Sequence, residues 1–440
     1  MKRKIILFVL AHLSIGLFAQ VAIGKDSAPV ESAVLELVSS DKGMLFPRLT
    51  TAQREAISDP ADGLCVYDTD ENRILHFNEK KNRWEKVGTL SDSGNNGGQT
   101  SKKKPKNVIF MIGDGMSYAQ VQAAFIESSN HLSMTTFPYT GIARTYSASS
   151  KVTDSAAAAT AMSTGVKTTN GYVGLNPAGN KIENIMEVAK RNGLATGVVV
   201  TQAVTHATPA GYYAHQKDRK SYAAIASDFL NSDMDVCIGG GLTYFNNVSG
   251  LLDKIRNKGY EVITSTDYKA VLNSNADKML ALLANERLKK MSEGRGSMLS
   301  ECTAKALEIL SKNEKGFFLM VEGSLIDSGG HDKNYSYMLS EMKDFDAAVG
   351  RAKEFAEKDG NTLVIVTGDH ETGGLAIYVK GYYTDNNGSL IHYYSNSNVA
   401  GDHTAVPVPI FAYGPGAEEF VGFLNNTDYK AKLENLLGIK

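Results

Sequence analysis

The chain has little of what marks specialised proteins. Three cysteines and one tryptophan occur in 440 residues, with only 10 prolines. A disulfide-stapled mini-protein, a collagen-like repeat and a proline-rich tether are therefore excluded. Charge of one sign is also missing: 46 basic residues against 48 acidic give a net charge of −2, which offers no footprint for nucleic acid or an anionic membrane. Long apolar runs are absent except one. Ile5 to Phe18 follows Lys2, Arg3 and Lys4 and exits at small residues near Ala19. It is shorter than the ~20 residues of a membrane span and contains His12 and Ser14, so residues 1–19 read as an export signal. The expected location is periplasmic, secreted or cell-surface. Cys65, Cys237 and Cys302 have no metal-knuckle spacing. They read as small buried thiols, with a Cys237–Cys302 bridge permitted by export but unsupported by pattern.

What is present is ordinary globular composition, 42% hydrophobic and 21% charged. Residues 29–88 carry short strand-like runs with turn punctuation, such as Gly63–Tyr67 and Ile74–Phe77, and hold Trp84. They read as a small β-rich accessory or oligomerising module, resembling one found in exported bacterial surface and fibre-like proteins. Residues 89–106, including SDSGNNGGQTSKKKPK, cannot bury enough apolar surface to order, so a flexible linker with a solvated lysine run is expected.

From residue 107 onward the pattern changes. Apolar runs at Val108–Ile112, Gly197–Val200, Phe317–Val321, Leu363–Val366 and Val408–Ala412 read as strands. Helical periodicity at Ile182–Arg191, Leu251–Asn257, Ala304–Leu310 and Tyr337–Phe355 separates them. Such alternation implies an α/β fold with a mostly parallel central sheet and helices on both faces. Residues 384–400, rich in Asn, Gly and Ser, read as a surface insertion. His76, His131, His215 and His392 sit in contexts that suggest packing or surface roles.

Ligands in such sheets bind beyond the carboxyl ends of the strands. Here those ends carry Asp114; Thr205, His206 and Thr208; Glu322, Asp327 and His331; and Asp369 and His370, with His403 before the last strand. Carboxylates gathered this way repel unless cations neutralise them, so a multi-metal site is expected. Imidazole plus carboxylate suits zinc, and an oxygen-only set suits magnesium. Ser155 opens the alanine run of Asp154-Ser155-Ala156-Ala157-Ala158-Ala159. It could be an N-cap or a nucleophile at a helix start that favours phosphate. No histidine lies in that segment, so metal activation is the simpler account of a reactive serine.

Ile112–Met116, Thr153–Ala156, Thr205–Ala210, Val321–Gly323 through Asp327 to His331, and Val366–Glu371 together resemble the alkaline phosphatases, in order and spacing. The resemblance covers about 107–440. It implies a phosphomonoesterase with a phosphoserine intermediate at Ser155 and Arg219 clamping phosphate. It also implies one zinc on Asp327, His331 and His403, a second on Asp114, Asp369 and His370, and a magnesium-type ion on Asp114, Thr208 and Glu322. His206 stands where some bacterial members have Asp, which opens the third position to zinc or cobalt. Ser328 replaces a Lys or His found in others, so weaker phosphate retention is expected. The family is often dimeric, making a homodimer the expectation. Rival readings are a phosphodiesterase or other superfamily phosphoryl-transfer enzyme, and a noncatalytic surface-binding protein.

Overall fold

The computed structural model describes residues 21–23, 35–39, 44–87, 103–377, 391–393 and 402–440. The expected export signal, most of the linker and most of the 384–400 insertion lie outside the described residues. The chain divides into two compact units, residues 1–96 and 97–440.

The smaller unit is a four-stranded sheet, β1 (Arg48–Leu49), β2 (Cys65–Asp68), β3 (Arg73–Asn78) and β4 (Arg83–Lys86), in sequential order. Thr50 and Gln53 form a reciprocal capping box that starts the helix Thr51–Glu55. That helix buries Arg54, whose Nε donates to the buried Asp68 carboxylate at 2.8 Å. Val66, Leu75 and Phe77 supply the core, with Trp84 edge-on to Phe77 at 5.5 Å. So few buried side chains make a marginal unit.

The larger unit is built on ten strands: β5 (Asn107–Gly113), β6 (Tyr139–Arg144), β7 (Ala195–Ala203), β8 (Val236–Gly240), β9 (Glu261–Ile263), β10 (Met279–Leu282), β11 (Phe317–Gly323), β12 (Thr362–Gly368), β13 (Val408–Tyr413) and β14 (Gly422–Asn425). Their order is β9-β10-β8-β7-β11-β5-β12-β13-β6-β14. Only β13 runs against the rest. Val108, Phe110 and Ile112 face one apolar cluster while Ile109 and Met111 face the other. This period-two alternation within an all-apolar run places a helical layer on each face of the sheet. Each aliphatic or Phe side chain fully buried there contributes about 1.5–3 kcal/mol.

The helices that matter for the site are α1 (Tyr118–Ile126), α2 (Ser155–Thr164), α3 (Ala207–Ala210), α4 (Leu325–His331) and α5 (Tyr335–Asp359). Asn334 caps α5, its side chain accepting from the Tyr337 amide, and Gly360 ends it at φ +66°. No helix among the described residues is long and apolar enough to cross a membrane.

All five expected strands are present, and all four helical periodicities fall on helices. Strands β6, β8, β9, β10 and β14 are additional. The last linker residues are not a free tether: Lys103 Nζ donates to the Gly360 carbonyl at 2.6 Å and Lys104 Nζ to that of Asn435 at 2.8 Å. Pro105 between them and β5 is buried. The three cysteines are free, so no Cys237–Cys302 bridge forms. Burial pushes the Cys302 thiol up to about 12, leaving it inert.

Candidate active site

Register sets the site. Gly113 at the end of β5 pairs with Gly323 of β11 and with Gly368 of β12. Three adjacent parallel strands thus end level, delivering Asp114, Ser324 and Asp369 to one edge, with Glu322 one residue back. Gly115 turns the chain at φ +76°. A Cβ there would sit 2.8 Å from the Asp327 Cα, so only glycine allows this approach. Its amide donates to Asp369 Oδ1 at 3.0 Å.

Asp154, not Ser155, is the N-cap of α2. Its Oδ1 accepts from the Ala157 amide at 2.9 Å, leaving Ser155 as the first helical residue with its hydroxyl uncommitted to capping. The other carboxylate oxygen of Asp154 accepts from Arg219 Nη1 and from the Gly171 amide, both at 3.0 Å. One side chain therefore starts the helix and anchors the arginine beside it. Burial opposes the charge on Arg219, but the Asp154 carboxylate keeps its pKa above the usual value.

A histidine does approach the serine, from 215 residues away: His370 Nε2 lies 3.2 Å from Ser155 Oγ. Its tautomer follows from its other contact. Thr372 Oγ1 donates to Asp327 Oδ1 at 2.6 Å, so at 3.2 Å from His370 Nδ1 it can only accept. The proton sits on Nδ1, and the Nε2 lone pair faces Ser155 and the carboxylates of Asp369 at 3.2 Å and Asp114 at 3.5 Å. His403 is likewise anchored through Nδ1. Its Nδ1 is 2.9 Å from the Thr153 carbonyl, which must accept, and its Nε2 points at His331 Nε2 (3.2 Å) and Asp327 Oδ1 (3.4 Å). The His370 and His403 rings stack at 3.6 Å.

The His370 lone pair aimed at two carboxylates is repulsive, and His403 meets Asp327 favourably only by taking up a proton, so both rings carry the local signature of missing positive charge. Among the described residues two groups have ligand atoms within 4.8 Å of one another: Asp327, His331 and His403; and Asp114, Asp327 and His370. Asp327 belongs to both, whereas the resemblance assigned it to the first alone; Asp369 adjoins the second. Deeper lie Asp114 Oδ1, Asp369 Oδ2, both Glu322 oxygens and Thr208 Oγ1, all buried without hydrogen-bond partners. The hydroxyls of Ser324 and Thr208 stand beside Glu322 without hydrogen-bonding geometry. Burial, then the Asp369 charge, pushes Glu322 up to about 8. Burial and the charges of Asp369 and Asp327 raise Asp114 well above the carboxylate range. Burial resists ionisation of Asp327 as well, yet hydrogen bonds from His331 and His403 hold its pKa well below normal. Orphaned donors of nitrogen and oxygen with no thiolate fit borderline divalent ions, and the oxygen-only set around Glu322 fits a harder one.

His206 precedes α3, its Nδ1 buried and unpartnered; burial, then the Arg219 charge, lowers its pKa to about 3. Ser328 is half-buried on α4 beside Asp327. His215 is not a ligand: its ring contacts the Gly174 carbonyl at 2.7 Å and Glu187 at 2.9 Å. Sequence reasoning missed Asp154 and Thr372. An Asp one residue ahead of Ser155 and its alanine run is itself an N-cap signal, whereas nothing in the sequence marks Thr372.

An α/β sheet presenting this cage of acids and imidazoles beside a helix-start serine and an anchored arginine defines a metal-dependent phosphoryl-transfer hydrolase. Residues 105–399 match the family model for alkaline phosphatase, and residues 22–102 match one described as a phage tail like trimerisation region. Alkaline phosphatase 4 of Bacillus subtilis (strain 168) is 34% identical over 406 residues, covering 74% of this chain and 87% of that protein. The alkaline phosphatase of Escherichia coli (strain K12) is 34% identical over 412 residues, 77% of this chain and 88% of that one. The alkaline phosphatase structure from the Antarctic bacterium TAB5 superposes with a TM-score of 0.72 at 41% identity, covering 77% of this chain and 100% of that chain. The chain belongs to the alkaline phosphatase family and is a phosphoric monoester hydrolase.

Proposed function

We propose that the chain cleaves phosphomonoesters through a phosphoserine on Ser155. The observation that carries this is the 3.2 Å approach of Ser155 Oγ to the unprotonated Nε2 of His370, within the same buried carboxylate cage. Burial, then the His403 charge, holds the His370 pKa well below normal, so the ring is a weak base and does not by itself ionise the serine. When bound, zinc ions on Asp327, His331 and His403 and on Asp114, Asp369 and His370, with a magnesium-type ion on Asp114, Thr208 and Glu322, would supply the Lewis acidity that ionises Ser155 and neutralises the departing alkoxide. Ser155 Oγ then bonds to phosphorus as the ester P–O bond breaks and the alcohol leaves. Water attacks the phosphoserine, releasing phosphate and restoring the hydroxyl. Arg219 and the free amides at the start of α2 hold the non-reacting oxygens.

Ser155→Ala tests this reading. Turnover of p-nitrophenyl phosphate is expected to fall at least about a thousandfold with zinc retained. Bis-p-nitrophenyl phosphate should be a poor substrate of the unaltered chain. Near-normal turnover by the variant, or a preference for the diester, overturns the assignment.

A histidine-to-aspartate variant of the TAB5 enzyme has Mg bound in its M3 site. By analogy we assign His206 to the edge of the third position here, where imidazole biases the site toward zinc or cobalt. His206→Asp should raise the magnesium-to-zinc ratio measured on purified protein. The match of residues 22–102 to a trimerisation region supports a trimer formed through the smaller unit, in place of the dimer expected from the family resemblance. Met44 and Leu45, 52% and 84% exposed, are apolar groups that such an assembly would cover. Light scattering on the full chain and on Leu45→Asp, which should dissociate, checks this. The basic and apolar opening segment supports export.

A further inference from the structure

His403 is held in the site by a short ribbon. Its two-residue strand pairs antiparallel with Glu371–Thr372, Thr404 opposite Glu371 and His403 opposite Thr372. So brief a ladder is marginal by itself. Glu371 supplies what the ladder lacks. One carboxylate oxygen accepts from the Thr404 hydroxyl and from the Gly374 amide at 3.2 Å. The other accepts from Gln120 Nε2 at 2.8 Å and from the Leu375 amide at 3.1 Å. Gln120 lies on α1, fully buried, and its amide also donates to the Thr372 carbonyl at 3.1 Å. A continuous chain of bonds thus runs from α1 through Gln120, Glu371 and Thr404 to the backbone of His403.

This carboxylate is 2% exposed, and among the described residues no Lys, Arg or His forms an ion pair with it. A buried carboxylate without a countercharge is costly, and an apolar side chain filling the same space would cost less. All four of its hydrogen bonds come from neutral donors, three of them on the segments flanking His403 and Thr372 and the fourth from Gln120 on α1. We infer that Glu371 is a positioning residue that holds His403 against Asp327 and His331, and so sets the metal affinity of that group. The inference rests on the reading that those three residues hold a metal.

The test uses the full chain loaded with zinc and challenged with a chelator, with zinc release followed by a chromogenic dye. Glu371→Gln and Thr404→Val should each release one zinc equivalent about 10- to 100-fold faster than the unaltered chain, the other equivalent leaving at its usual rate. Thr404→Ser keeps the hydroxyl and should release at the unaltered rate. The double variant should be no faster than the faster single, because both break one link. Melting temperatures of the metal-free forms should agree within a few degrees. Unaltered release from both single variants, or acceleration of both zinc equivalents together with a lowered melting temperature, overturns the inference. An unaltered chain that binds no zinc overturns the metal reading and this inference with it. A zinc-loaded parent with indifferent variants overturns this inference alone.

Discussion

At the scale of single residues, the site depends on side chains that serve two neighbours at once. Asp154 is the plainest case, since one oxygen caps α2 and the other holds Arg219. These duties separate under mutation. Asp154→Asn keeps an oxygen for the Ala157 amide but loses the charge facing Arg219. Asp154→Ala loses both. Both variants should raise KM for p-nitrophenyl phosphate roughly 10- to 100-fold, the equivalent of about 1.5–3 kcal/mol for a hydrogen bond to a charged group. Only the alanine variant should also lose about 1 kcal/mol of stability with the cap. Steady-state kinetics beside denaturant melts read the two effects apart. Equal stability losses would mean that the capping bond contributes nothing. Thr372 joins His370 to Asp327 in the same way, so the hydroxyl that fixes a tautomer also couples the two ligand groups.

At the scale of elements, α2 is ten buried residues, half of them alanine, because it lies close against the segment that follows α3. A Cβ on Gly211 would come within 2.8 Å of the Ala159 Cβ, and Ser163 Oγ donates to the Gly211 carbonyl at 2.6 Å. Gly211→Val is therefore expected to cost about 1–3 kcal/mol by overpacking. It should also slow turnover, because displacing α2 moves Ser155; a melt and a kcat measurement check both. The alanine run announced this helix in the sequence, and the apolar runs announced β5, β7, β11, β12 and β13, because a strand buried on both faces must be apolar throughout. The remaining strands were not legible, each for a reason of its own. Tyr139–Arg144 leaves alternate residues partly exposed, Glu261–Ile263 is three residues long, and Val236–Gly240 ends in two glycines. The acids and histidines of the site could be read because they stand at strand ends or in the segments that adjoin them. Thr372 and the link through Glu371 could not, since their roles arise only when residues 120, 327, 371 and 404 meet in space.

At the scale of the whole catalytic unit, the cage couples stability to acidity, and the sign can be worked out for metal-stripped protein. Four groups of the cage have folded pKa values raised above their ordinary ones, Asp114 among them, chiefly through burial. Glu322 goes from 4.5 to about 8 and Asp369 from 3.8 to about 6, both chiefly through burial. His403 goes from 6.5 to about 9, the hydrogen bond and charge of Asp327 outweighing burial. Such groups stabilise the fold below their unfolded pKa, and that contribution is lost as pH rises through the folded value. His206 and His370 act oppositely. Burial lowers both, so their penalty shrinks as pH rises to 6.5 and is constant above it. Asp327, lowered, contributes its full share at every pH above 3.8. Between pH 6.5 and 9 Glu322 and His403 are titrating and both weaken the fold, and Asp114, raised in the same sense by burial, adds to the loss as it ionises. Chelator-stripped protein should therefore melt at progressively lower temperature across that window. Zinc- and magnesium-loaded protein should not follow it, because cations replace the protons that the cage otherwise needs, and ligand deprotonation strengthens their binding as pH rises. Scanning calorimetry of both forms from pH 6 to 9 checks this. Parallel pH profiles would show that protons are not what the metals replace, and that the buried acids are stabilised by something other than the cage.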